Sequence, residues 1–183
     1  MKETLRKIAR GYVEMFLVRD GIWTPIGSVH NDICYDGMDI MAKALHGDLA
    51  INAMYLVFEN DAGAADITVD AANTYATYTA AEANRSFVRI STLGDPIYSS
   101  TDATIYENNR VVFLGVTDGT SYFPAIPVTD ATSVFYHTAL VAAPDFTDET
   151  EDKIFSCAAL SPTVTKVAGA QVGVRWTITF DLP

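Results

Sequence analysis

The chain has 183 residues, 49% of them hydrophobic, and its 23 acidic against 12 basic side chains give a formal charge of −11. That length suits one domain able to bury about 70% of the surface its unfolded form exposes, with no disulfide or structural metal needed to hold a core. The acidity is at odds with a nucleic-acid groove, which requires a cationic face, and no run approaches the ~20 apolar residues of a membrane span.

The charge is unevenly placed. Residues 1–10 carry Lys2, Arg6, Lys7 and Arg10 against Glu3 alone, which leaves 8 basic and 22 acidic residues for the remainder. A basic arm over 1–11 is therefore expected on an acidic domain over 12–183. It reads either as a solvated terminus or as an arm that docks on an acidic neighbour, another copy of the chain included. The apolar run nearest the start is broken by Glu14, so no signal peptide is expected and synthesis in a cytoplasm follows.

Residues 12–19 read as a strand, Asp20-Gly21 as a tight hairpin turn, and 22–29 as the return strand. Pro25 has no amide hydrogen for a ladder and places that strand at a sheet edge or gives it a bulge. One helix is predicted near 36–46. Asp36 can cap it, Met38, Met41, Ala42 and Leu45 form its apolar stripe, and Gly47 ends it in the left-handed conformation. Strand character returns over 51–59, with Met54, Leu56 and Phe58 on one side.

Residues 60–81 are rich in Asp, Ala, Thr and Gly, and predict a long surface excursion that touches a neighbour, with Tyr75 and Tyr78 on it. Strands are expected over 86–93 and over 104–116, where Val111, Phe113 and Gly115 share a face. A turn cluster at 117–121 and an irregular edge at 122–127 precede a strand over 131–143. After an acidic loop at 145–152 comes a short strand over 153–160, and 162–170 leads into the last strand. There Val172, Val174, Trp176, Ile178 and Phe180 alternate with polar residues and glycine, the period of a strand with one buried face. A one-residue slip would expose all five, so its register should be firmly set. Eight or more short strands with one helix predict a mainly β fold, a β-sandwich or jelly-roll-like domain.

Catalytic signatures are missing from the sequence: no phosphate loop, no Gly-x-Ser-x-Gly, no His-Glu-x-x-His, no paired-cysteine knuckle. His30, His46 and His137 are scattered, and His46 suits the end of a helix. Cys34 and Cys157 read as two half-buried thiols, and their spacing leaves open whether they meet. The loop bearing Asp145, Asp148, Glu149, Glu151 and Asp152 reads as solvated, with calcium the one ion its carboxylates would suit. Glu82 and Arg85, followed by Arg89, form a surface salt bridge or a clamp between the excursion and the sheet.

Four stretches resemble a group of tailed-bacteriophage virion proteins. They are the Asp20-Gly21 hairpin; Asn31-Asp32-Ile33-Cys34-Tyr35-Asp36-Gly37-Met38-Asp39 running into Ile40-Met41-Ala42-Lys43-Ala44-Leu45; Glu82-Ala83-Asn84-Arg85; and Arg175-Trp176-Thr177-Ile178-Thr179-Phe180. The second is similar to a pattern of Asn, apolar, Ile, Thr, Asn, any, Gly, Leu, Asp before an alanine-rich helix, with Cys34 and Tyr35 in place of Thr-Asn. Residues 116–156 carry no counterpart.

The resemblance implies a particle component that works by contact, without catalytic residues or cofactor. The expectation is a capsid decoration or cement protein of the virion that bridges major capsid protein subunits as a homotrimer, without nucleic-acid or membrane partners. Its contacts would involve Lys2, Arg6, Lys7, Arg10, Tyr75 and Tyr78. The alternative is a tail-associated structural or carbohydrate-binding module, using Tyr75, Tyr78, Tyr98, Tyr106, Tyr122 and Phe123 as stacking platforms.

Overall fold

A hairpin opens the fold. In the computed structural model, residues 9–59, 85–91, 97–99, 109–117, 133–144 and 151–180 are described. Strand β1 (Ala9–Arg19) pairs antiparallel with β2 (Ile22–Ile33) from Arg19 opposite Ile22 to Gly11 opposite Asn31. Asp20 and Gly21 both take positive φ, 50° and 77°, which matches the twist of the two strands across a two-residue turn. The ladder then shifts. Phe16 faces Pro25 and Met15 faces Gly27, so Ile26 is the extra residue of a bulge beside the proline, as the missing amide hydrogen requires.

The helix α1 (Tyr35–His46) follows, then β3 (Ala53–Glu59), β4 (Arg85–Ser91), β5 (Ile97–Ser99), β6 (Arg110–Val116), β7 (Ser133–Ala142), β8 (Lys153–Lys166) and β9 (Gln171–Phe180). The strand order is β4-β3-β7-β8-β2-β1-β9-β6-β5, antiparallel at every pairing. Consecutive hairpins are dealt alternately to two sheets: β1-β2 and β5-β6 to the first, with β9 between them, and β3-β4 and β7-β8 to the second. The sheets join where the end of β2 enters the β8 ladder, through Asp32 opposite Cys157 and Ile33 opposite Ser156.

Between the sheets lies one apolar core. Val13, Met15, Phe113, Val172, Val174, Trp176 and Ile178 of the first sheet meet Met54, Leu56, Leu140, Ala142, Phe155 and Ala158 of the second. Trp176, flanked in register by Val13 and Phe113, is fully buried at its centre. Among the described residues the protein is thus mainly β and sandwich-like with one short helix, and β9 buries Val172, Val174, Trp176 and Ile178 on the one face that its alternation predicts. Val111 and Phe113 share the core face of β6 as expected.

Besides small shifts at strand ends, and β2 running on to Ile33 past the expected end at 29, four boundaries or faces differ from expectation. First, β1 starts at Ala9, which takes residues 9–11 out of the predicted arm; Arg10 stands in register with Thr179 of β9.

The second difference concerns the helix. It starts at Tyr35 with Cys34 at the N-cap, no side chain caps it, and Asp36 lies in its first turn, where the helix dipole still favours a carboxylate. Gly47 does end it, at φ 88°, with its amide donating to the Ala44 carbonyl and that of Asp48 to the Lys43 carbonyl. The buried face follows the predicted stripe only in part: Met41 packs half-buried against the core. Ile40 is fully buried, whereas Ala42 is exposed and Leu45 is 90% exposed. Gly37 helps to select the face: a Cβ there would stand 2.7 Å from the Phe155 carbonyl oxygen of β8. The helix packs where its backbone can come closest to the sheet.

Third, the short strand at 153–160 and the segment at 162–170 are largely one 14-residue strand, β8, that runs through Pro162. Register explains the tolerance. His137 faces Ala159 and Phe135 faces Val164, so residues 160–163 bulge out of the ladder, and the proline withholds no needed hydrogen bond. Fourth, Asp152 is not part of a solvated loop. It is 4% exposed and accepts a hydrogen bond from the hydroxyl of fully buried Tyr55.

Candidate functional site

The outward face of the first sheet is where the side chains stop behaving as core or as plain solvated surface. Alternation along β1 turns Val13 and Met15 inward and Tyr12, Glu14, Phe16 and Val18 outward, where Tyr12 and Glu14 are half-buried while Phe16 and Val18 are covered. Register places Arg175 of β9 opposite Glu14, Gly173 opposite Phe16 and Thr177 opposite Tyr12. On the far side of β9, Val112, Leu114 and Val116 of β6 stand opposite Thr177, Arg175 and Gly173.

An ion pair sits at the centre of this face. Arg175 donates from Nε to Glu14 Oε2 at 2.6 Å and from Nη2 to Oε1 at 2.7 Å, the two-point geometry that suits a guanidinium and a carboxylate. The hydrogen bond to Glu14 raises the Arg175 pKa above its ordinary value, with burial opposing it. The guanidinium also lies 5.3 Å from the centre of the Phe16 ring, and Phe16 packs edge-on against Trp23 at 5.4 Å. Gly173 makes room for that indole, since a Cβ there would stand 2.5 Å from Trp23 Cζ3. Tyr12 pairs with the exposed His30 ring at 5.4 Å.

Half-buried Tyr12, Trp23, Val112 and Leu114 therefore surround a fixed charge pair on an outward face. Aromatic and arginine side chains held rigid around an apolar patch are the composition of a protein contact surface.

Of the expected contact residues, Arg10 is exposed at the start of β1, on this same outward side. Lys2, Arg6, Lys7, Tyr75 and Tyr78 lie outside the described residues, as do Glu82, Tyr106, Tyr122 and Phe123. Tyr98 falls in β5 and Arg85 opens β4, but their side chains are likewise outside the description. Tyr12, Glu14, Trp23, Leu114 and Arg175 are not among the contact residues expected from sequence. A signal for Tyr12 and Glu14 is present: in β1 the residues between the core positions are aromatic and apolar as well as charged, which an ordinary solvated face does not need.

Among the described residues, no three His, Cys, Asp or Glu side chains gather closely enough to hold a metal ion. His30 and His46 lie apart, the latter bonded to Asp48 through Nδ1 at 2.8 Å, and His137 is buried within β7. No described helix is long and apolar enough to cross a membrane. No protein-family model matches the chain, and no curated protein or solved structure shows significant similarity to it.

Proposed function

We propose that this chain is a structural component of a bacteriophage particle, a capsid decoration or cement protein that bridges neighbouring major capsid protein subunits as a homotrimer. The observation that carries the reading is the outward face of the first sheet, with Tyr12, Trp23, Val112 and Leu114 around the Glu14–Arg175 pair. Such a face suits binding to a protein surface, and a rigid sandwich suits a bridge whose effect is multiplied by the repetition of the shell.

Three of the four virion-like sequence landmarks add support because they coincide with fastenings of the fold; residues 82–84 of the other lie outside the described residues. The Asp20-Gly21 pair turns the first hairpin, and Trp176 centres the core. Asn31 donates to Ser156 Oγ at 2.5 Å across the joint between the sheets, while Gly37 lets the helix close on β8. These residues have fold-making roles, which is what a resemblance between contact proteins would preserve.

The test is co-sedimentation of the purified protein with tail-less heads, with separated tails as control. Saturable binding to heads at a fixed ratio to the shell subunit is the expected result; binding to neither would contradict the proposal. The same aromatic residues favour one second reading, a tail-associated module that stacks Tyr12 and Trp23 on sugar rings. Binding to tails alone, with binding to a glycan array, would bring that reading forward.

A further inference from the structure

We infer that Cys34 and Cys157 are a redox-closable pair, whose disulfide would staple the joint between the two sheets. The sulfurs lie 3.5 Å apart, in van der Waals contact, and both residues are buried, Cys34 at 1% and Cys157 at 0% exposure. The expected half-burial is corrected, and the question of whether they meet is answered by the fold. Register brings them together: Cys157 faces Asp32 at the entry of β2 into the β8 ladder, and the Cys34 amide donates to the Phe155 carbonyl at 2.9 Å. The inference is independent of the proposed function.

The reaction is thiol–disulfide exchange with a small-molecule disulfide such as glutathione disulfide. One cysteine, as thiolate, attacks a sulfur of that reagent, breaks its bond, and releases one glutathione thiolate. The second cysteine then displaces the other glutathione. Two protein thiols are oxidised, one disulfide is reduced to two thiols, and the two cysteine protons end on glutathione. A reducing cytoplasm keeps the pair as thiols and an oxidising medium closes it. The bond would join segments 123 residues apart, a long loop that strongly restricts the unfolded chain.

The experiment exposes the full chain to a glutathione redox buffer, both kept native and during refolding, so that burial does not shield the thiols in every sample. Thiol counting, peptide mapping and thermal unfolding follow. The expected product is a monomeric chain with no remaining thiol, one Cys34–Cys157 linked peptide, and a Tm about 5–10 °C above that in dithiothreitol. Cys34→Ala should show no oxidation-dependent rise. Two thiols remaining in both samples, separate glutathione adducts, or an equal rise in Cys34→Ala would overturn the inference.

Discussion

The two sheets bury their side chains in different ways. In the first sheet, β9 shows its inward Val172, Val174, Trp176 and Ile178 to the core and turns Arg175 and Thr177 outward, where both stay half-buried. In the described central strands of the second, both faces are closed. Met54, Leu56 and Leu140 enter the shared core, while Ala53, Tyr55, Ala139, Val141, Ile154 and Cys157 form a separate buried cluster on the opposite face. The difference separates a sheet that can offer a surface to a partner from one whose described central strands already have both faces covered.

The sharpest way to break that contrast is to place one charge on each outward face. Val141→Asp should prevent stable folding at 25 °C, because a buried carboxylate without a partner costs more than about 4 kcal/mol. Val112→Asp should lower stability by less than about 1 kcal/mol, since its position is only half-buried. Urea unfolding of both variants measures the difference, and similar losses would erase the distinction between the sheets.

Next in size is the polar contact inside the second sheet's outer cluster. Tyr55→Phe keeps the ring but removes a donor from buried Asp152, with an expected loss of about 1–3 kcal/mol in urea unfolding. The corresponding polar contact of the first sheet should be weaker. A double-mutant cycle on Glu14 and Arg175 should give a coupling of about 0.5–1 kcal/mol, because the Arg175 side chain is 43% exposed and solvent screens the pair.

The smallest effect belongs to the helix surface. Hydrogen bonds from Lys43 and then Lys153 lower the Asp39 pKa, so its folded value lies below its unfolded one. Its stabilising contribution is present above about pH 4, and is lost as pH falls through the depressed folded value. Asp39→Asn should therefore lower Tm slightly at pH 7, by an amount that shrinks as pH falls below about 4.

The same contrast explains what the sequence made legible. Strands β1 and β9 alternate because one face is core and the other is not, and the Asp20-Gly21 turn and the bulge beside Pro25 follow from backbone chemistry. In the second sheet β3 leaves a short trace of this kind in Met54 and Leu56, but β8 leaves none. Ile154 to Ala158 are buried without interruption, so periodicity could not show that Tyr55 and Asp152 meet or that β8 passes through Pro162. The helix face is legible only in part for a related reason: Met38, Ile40, Met41, Ala42 and Leu45 offer two overlapping stripes, and Gly37 favours the one whose backbone approaches β8. As for the candidate site, the residues expected in contacts were picked for charge and aromaticity along the chain. The face found here depends on pairing β1 with β9 across more than 150 residues, for which the Glu14–Arg175 partnership gives no local sign.

The central claim is that the first sheet's outward face is a binding surface. Its most direct test is a quantitative co-sedimentation titration of tail-less heads with the wild type and with Leu114→Asp, after confirming that the variant remains folded. Loss of saturable binding by at least about tenfold, equivalent to 1.4 kcal/mol, is the result predicted. Undiminished binding by the folded variant would contradict the claim.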